Sequence, residues 1–137
     1  MLDLQDLLRY MDEGGFTLAV QTAEGEMITS KERGISPLLA LLPQKEKFCG
    51  ALAADKVTGK AAAFLYVLLG VKGVRTHLSS LPAQRVYAAH GIAHVTDADC
   101  ERIVNRRGDG LCPMESAVME IDEPEQAAKV LFALCKK

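Results

Sequence analysis

Two short segments of the sequence concentrate residues that could bind a ligand or move a proton. The first contains Asp55, Lys56, Gly59 and Lys60, and it lies between a short apolar run and the most apolar stretch of the chain. This order predicts a buried strand leading into a helix, whose first backbone N–H groups are free to bind an anion. Lys56 and Lys60 are one helical turn apart and would share a face of that helix.

These residues also have a purely structural interpretation. Asp55 is a good N-cap for the predicted helix, a contribution of about 0.5–2 kcal/mol. In that case Lys56 and Lys60 are solvated. Gly59 in a first helical turn costs about 1 kcal/mol relative to Ala, and close packing of a neighbour or approach of a ligand would explain it. The segment lacks the G-x-x-x-x-G-K-[ST] pattern of a phosphate-binding P-loop.

The second segment, residues 105–116, places two adjacent arginines on a glycine-containing loop just before a predicted helix. Arginine suits bidentate binding of carboxylate or phosphate. Cys112 stands at the start of the helix, where the helix dipole favours a thiolate. Glu115 is a second candidate for proton transfer, although Pro113 and Glu115 also fit a simple helix cap. The other candidate ligand-binding residues of this segment are Asn105, Arg106, Gly108, Gly110 and Ser116.

The remaining cysteines and histidines favour structural roles. The four cysteines show no C-x-x-C spacing, which favours free thiols in a reducing compartment. Cys49 is expected in the core of a strand, and Cys100 and Cys135 on helical segments. The three histidines form no pair on one helix and are expected at the surface or in the core; they are His77, His90 and His94.

Composition excludes several classes of protein. With 137 residues, the chain is expected to form a single domain over residues 1–137, with an N-terminal helix at about 1–12. The net charge of −2 argues against a general nucleic-acid binder. The longest apolar run, Ala61–Val71, is too short to span a bilayer. The N-terminus has no pattern of a signal peptide, so a cytoplasmic protein without membrane contact is expected.

The elements that must position the two segments follow from hydrophobic periodicity and turn signals. Strands are predicted at Phe16–Ala23, Glu26–Thr29, Cys49–Ala54, Val74–Leu78 and Ile92–Val95. Helices are predicted at Leu2–Met11, Ser36–Leu42, Asp55–Leu69, Pro82–Ala89, Thr96–Val104 (started by Asp97 and Asp99), Met114–Ile121 and Asp122–Leu134. This order predicts a three-layer α/β/α sandwich with helices on both faces of the sheet. Ligands of such sheets bind outside the carboxyl ends of the strands.

Taken together, the two segments resemble a small prokaryotic family known as domain of unknown function 1893. The resemblance covers about Phe16–Leu134 and is carried by A-D-K-V-x-G-K-A-A at 54–62 and N-R-x-G-x-G-x-C-P-x-E-S at 105–116. The family is similar to the cytidine deaminase-like fold, which implies a mixed five-stranded sheet with helices on both faces. The two segments take places analogous to the metal-binding motifs of zinc deaminases, and a cleft between two facing helix N-termini is implied.

The zinc chemistry of those deaminases is not expected here. Zinc deaminases use H-x-E or C-x-E and P-C-x-x-C. No His or Cys stands at 55–60, and Pro113 is followed by Met-Glu-Ser-Ala. A catalytic zinc normally needs three protein ligands, so neither a metal nor another cofactor is predicted.

Three functions remain open from the sequence. The favoured one is binding of a nucleoside-like or phosphorylated metabolite, with or without catalysis. Its candidate catalytic residues are Asp55, Lys60, Cys112 and Glu115. The second is a non-catalytic module, as a homodimer or a regulatory partner, suggested by the apolar helix Ala61–Leu69. The third is thiol redox chemistry at Cys112, for which no resolving cysteine is close in sequence.

Overall fold

Helices and strands alternate along most of the chain in the computed structural model, which describes residues 1–104, 108, 110 and 112–135. The helices are α1 (Leu4–Glu13), α2 (Ser36–Leu41), α3 (Lys60–Leu69), α4 (Leu81–Ala89), α5 (Pro113–Val118) and α6 (Pro124–Cys135), and a 3-10 helix spans Leu42–Phe48. The strands are β1 (Leu18–Gln21), β2 (Met27–Ser30), β3 (Leu52–Thr58), β4 (Gly73–Ser80) and β5 (Ala93–Cys100). No helix in these ranges is long and apolar enough to cross a membrane.

The strands form one mixed five-stranded sheet in the order β2-β1-β3-β4-β5. β1 pairs antiparallel with β2 and with β3, whereas β3, β4 and β5 are parallel, with Ala53 opposite Val74 and Val74 opposite His94. The predicted mixed sheet is therefore confirmed. Because parallel strands end at the same edge, the chain leaves β3, β4 and β5 on one side of the molecule, where ligands of such sheets bind.

Helix α1 covers one face of the sheet. Its buried residues Leu7, Leu8 and Met11 recur at helical spacing and pack with Ala19 of β1 and Ala54 of β3. Two alanines on the sheet let the helix approach closely, and the cluster stays separate from the main core.

The other helices form a layer on the opposite face, with α3 at its centre. Seven of the ten residues of α3 are buried, including Phe64, Leu65 and Tyr66. The helix contacts α2, α4, α5 and α6, so its apolar surface is covered by its own chain. α3 ends at Gly70, whose φ of +76° suits glycine and whose N–H bonds to carbonyls of the last turn. The predicted three-layer α/β arrangement is confirmed.

A polar cluster ties α1 to β4 and β5. The guanidinium of Arg75, a buried residue, donates to Asp97 at 2.7 Å and to the Gln5 amide oxygen at 3.0 Å. His77 lies between two carboxylates, with Nδ1 2.7 Å from Asp97 and Nε2 2.8 Å from Asp12. Asp97 thus joins β5 to both basic side chains of β4, and these side chains in turn contact Gln5 and Asp12 of α1.

The prediction of a helix at Thr96–Val104 is wrong, because β5 continues to Cys100. Asp97 and Asp99 lie within this strand and do not start a helix. β5 is an edge strand with mostly exposed residues, so carboxylates are tolerated at its outward positions. In the sequence, these carboxylates resemble the acidic residues at the start of a helix. Cys100 consequently ends a strand instead of lying on a helix.

The junction between β3 and α3 also differs from the prediction. β3 runs to Thr58, so Asp55 and Lys56 are strand residues and Asp55 is not the N-cap of α3. Gly59 takes the N-cap position and α3 starts at Lys60, which means that Lys56 and Lys60 share no helical face. Cys49 is exposed after the 3-10 helix, not in a strand core, because β3 begins only at Leu52.

We expect His77→Gln to lower stability at low pH only. Hydrogen bonds with Asp12 and Asp97 raise the pKa of His77 above 6.5. The contribution of His77 is fully present below 6.5 and is lost as the pH rises through the raised value. Urea unfolding of wild type and variant should differ at pH 5.5 and converge by pH 9. His90→Gln is the control, because His90 is exposed and its ring has no hydrogen bond within the described residues; a similar pH-dependent gap there would contradict this account.

Candidate functional site

The carboxylate of Glu115 binds the first free backbone N–H groups of α3. Its two oxygens accept hydrogen bonds from the N–H of Lys60 at 2.7 Å and of Ala61 at 2.8 Å. Glu115 lies in the first turn of α5 and is 8% exposed, so these are shielded, charge-assisted bonds. The sequence suggested a cap or a site; the structure shows a cap, but of a different helix from the one that carries Glu115.

Gly59 is the residue that makes room for this carboxylate. A Cβ at Gly59 would lie only 2.3 Å from a carboxylate oxygen of Glu115. The close approach that the sequence suggested at Gly59 is therefore that of another part of the same chain. Since φ at Gly59 is −109°, the requirement for glycine is one of space and not of backbone conformation.

Asp55 forms a second polar contact at the same end of the sheet. The hydroxyl of Tyr66, on the second turn of α3, donates to Asp55 Oδ2 at 2.8 Å. Burial raises the pKa of Asp55 to about 7, while hydrogen bonds from Tyr66 and from the backbone of Val57 and Lys56 oppose this rise. A carboxyl with this pKa exists in both protonation states near neutral pH, which is what general acid–base catalysis requires.

A cavity of about 460 Å³, here called the Asp55 cavity, lies where these elements meet. Its wall comes from the start of β1, the loop between β2 and α2, Leu38 of α2, the end of β3 and the first turn of α3. Ile103, Cys112, Met114 and Glu115 complete it. Asp55, Lys56, Gly59, Cys112 and Glu115 all line it. The structure thus brings five of the predicted site residues around one space.

The side chain of Lys60 lies on the other side of Glu115. Its Nζ donates to the backbone carbonyl of Met119 at 2.7 Å and lies 5.5 Å from the centre of the Phe64 ring. This side chain lines a separate groove of about 670 Å³ between α3, α4 and α5, and Glu115 borders both spaces. Lys60 and Asp55 therefore do not face the same cavity.

The other predicted residues of the second segment are dispersed or outside the described residues. Asn105 and Arg106 lie outside them. Gly108, Gly110 and Ser116 are exposed. Cys112 takes the N-cap position of α5, as its place in the sequence suggested, and makes no side-chain capping bond there.

Sequence reasoning missed two contributors to this site. The sequence pattern places Tyr66 only within an apolar helix. A buried tyrosine usually needs a hydrogen-bond partner, and this is the signal that could identify it. The loop with Arg33 and Ile35 also lines the cavity. Nothing in its local pattern indicates this, because the contact depends on how the hairpin is placed against β3.

Within the described parts of the chain, no group of three or more His, Cys, Asp or Glu side chains is arranged to hold a metal ion. The polar groups of the site are carboxyl, phenol, thiol and backbone N–H groups, and the exposed basic side chains of Arg33 and Lys56 also line the cavity. Their chemistry is hydrogen bonding and proton transfer.

Fold and site define a three-layer α/β protein with a mixed sheet, in which two carboxyl side chains meet a cavity beside the N-terminus of the central helix. The family model described as Domain of unknown function (DUF1893) matches residues 6–133, so the chain belongs to this family. The resemblance inferred from the two sequence segments is confirmed. Its further similarity to the cytidine deaminase-like fold stays a prediction.

A solved relative shares the fold. The crystal structure of a DUF1893 family protein from Thermotoga maritima matches with a TM-score of 0.87 and 23% sequence identity, covering 97% of this chain and 92% of that chain. At this identity the match shows a common fold and no more. A search of curated proteins finds no match.

Gly59→Ala should destabilise the protein by about 1–3 kcal/mol, because the new methyl group meets the bound carboxylate. Glu115→Ala should cost a similar amount by leaving two N–H groups without this acceptor. The double variant should lose less than the sum, by at least ~1 kcal/mol, since the clash disappears with the carboxylate. Urea unfolding of all four proteins measures this coupling. Glu115→Gln keeps the side-chain volume and should retain the full cost of Gly59→Ala; additive costs throughout would refute the contact.

Asp55→Asn should stabilise the protein above neutral pH. Asp55 has a pKa of about 7 in the folded protein against 3.8 as the reference. Its contribution to stability is therefore greatest below pH 3.8 and falls as the pH rises to 7, by about 4 kcal/mol at most. The variant should match wild type below pH 3.8 and be more stable at pH 8, as measured by urea unfolding. Asp122→Asn, at an exposed carboxyl, is the control; equal profiles for wild type and Asp55→Asn would disprove the assignment.

Proposed function

We propose that this protein binds a small nucleoside-like or phosphorylated metabolite in the Asp55 cavity, in the cytoplasm. The observation that carries the proposal is the pair formed by Asp55 and Tyr66, which places a titratable carboxyl at the wall of the cavity. A carboxyl that is ordinarily solvated here lies against apolar neighbours, and such groups concentrate at functional sites.

The size and lining of the cavity support the same function. Ligand sites commonly occupy about 300–1,000 Å³ and combine apolar walls with a few polar groups. The Asp55 cavity has about 460 Å³ and includes buried Leu18, Leu38, Ala61 and Ala62 in its wall. It also lies at the edge where β3 ends, as expected for ligands of such sheets.

The same carboxyl is suited to binding and to catalysis. As an acceptor it would orient a ligand, and with a pKa near 7 it would also exchange a proton with one. Cys112 also lines the cavity and is available to contact the ligand. The proposal is for binding, and a reaction would be sought once the ligand class is known.

The alternative of a homodimeric module has weaker support. It was suggested by the apolar surface of α3, but α2, α4, α5 and α6 of the same chain cover that helix. The surface that appeared to need a partner is therefore occupied within the protein.

A thermal-shift screen of nucleobases, nucleosides, nucleotides and sugar phosphates tests the proposal. A ligand present at about 100 times its Kd stabilises by about 2.7 kcal/mol, which raises Tm by several degrees. We expect one class to do so in wild type and to lose most of the effect in Asp55→Asn.

Arg85→Ala is the matched control, because Arg85 lines the groove on the other side of Glu115. A shift that survives in Asp55→Asn and disappears in Arg85→Ala would move the site to that groove. No shift with any compound would favour the non-catalytic module.

A further inference from the structure

The polar side chains at the inner end of the Asp55 cavity are acidic, whereas the basic side chains lie at its rim. Two carboxyl side chains, Asp55 and Glu115, line it together with apolar side chains. The two basic side chains in its wall, Arg33 and Lys56, are exposed, and so is a third carboxyl side chain, that of Glu32. Basic side chains and one acidic side chain thus line the rim, and hydrogen-bond acceptors lie further in.

Among the described residues, the N-terminus of α3 would attract an anion to the inner end, but its first N–H groups are already bound. The N-terminus of α3 offers free N–H groups and the positive end of the helix dipole. The two oxygens of Glu115 accept hydrogen bonds from the N–H groups of Lys60 and Ala61. A ligand phosphate or carboxylate would have to displace a buried carboxylate that the chain itself supplies.

Asp55 differs from Glu115, because no charged side chain in the described part of the chain pairs with it. Its side-chain partner is the hydroxyl of Tyr66, a neutral donor. An ionised carboxyl in such surroundings is costly unless a donor or a cation reaches it. A ligand carrying N–H groups would supply what the described side chains do not.

We propose that the Asp55 cavity selects ligands that present a planar cationic or N–H-donating group, such as an amidine or an amino-substituted heterocycle, to the carboxylate of Asp55. This inference rests on the proposed function and narrows it. Any anionic part of the ligand would then lie outward, near Arg33 and Lys56. The apolar wall suits the flat face of a ring, and two parallel N–H groups suit a carboxylate.

Two simple probes of similar shape and opposite charge, benzamidine and benzoate, test this. Each is titrated into ¹⁵N-labelled wild-type protein, and amide shifts are followed by NMR, which also locates the site. We expect benzamidine to shift the amides of residues that line the cavity, including Ile35, Val57 and Ala62, and benzoate to leave them unchanged.

Two further measurements connect the effect to Asp55. Asp55→Asn should weaken benzamidine binding at least tenfold, whereas Arg85→Ala should leave it unchanged. If only the ionised carboxyl binds, a pKa of about 7 makes affinity about tenfold higher at pH 8 than at pH 6. A urea-unfolding transition of Asp55→Asn, measured at pH 8, verifies that the variant is folded before urea is added.

The outcomes separate this inference from the proposed function. Binding of benzoate at the cavity in place of benzamidine would overturn the ligand class and leave the cavity as a binding site. Benzamidine binding that survives Asp55→Asn would overturn the role of Asp55. If neither probe shifts the amides around the cavity, both the ligand class and the proposed site are refuted.

Discussion

The contact between Glu115 and the start of α3 holds together the end of the molecule that carries the candidate site. Two short hydrogen bonds join Glu115 to Lys60 and Ala61, which precede it by 55 and 54 positions in the sequence. The helix gains an acceptor for N–H groups that no side chain of its own first turn supplies. The short helix α5 gains a fixed attachment to the core. The same carboxylate requires glycine at position 59 and separates the Asp55 cavity from the groove beside Lys60.

Three carboxyl groups in this fold show how local partners decide what an acidic side chain does. Asp97 lies between Arg75 and His77, which lower its pKa and keep it ionised. Glu115 accepts hydrogen bonds from the backbone N–H groups at the N-terminus of α3. Asp55 accepts a hydrogen bond from the hydroxyl of Tyr66, and burial raises its pKa to about 7. Asp97 contributes to the packing of α1, and Glu115 to that of α5. Asp55 can gain or lose a proton near neutral pH. Chemistry is therefore best sought at Asp55, although its place in the sequence suggested a helix cap.

Much of the fold could be predicted because local patterns are strong where one face of an element is buried. The period of α1, the hairpin signal between β1 and β2, and the glycine that ends α3 all give the correct element. The errors fall where tertiary context decides. β5 is an edge strand, so carboxylates on its exposed side imitate a helix start. At the end of β3, the strand continues through Asp55 and Lys56, because β1 and β4 pair with it on either side.

The site shows the same limit in a different form. The residues of the two segments were identifiable by type, and five of them do line one cavity. Their roles were not identifiable, because each depends on a partner distant in the chain: Asp55 on Tyr66, Gly59 on Glu115, and Lys60 on the carbonyl of Met119. A helix N-terminus looks like an anion site in any sequence, but here the protein fills it with its own carboxylate. What remains for a ligand is the carboxyl of Asp55, which pairs with no charged side chain among the described residues. This is the reason for proposing a preference for hydrogen-bond donors over anions.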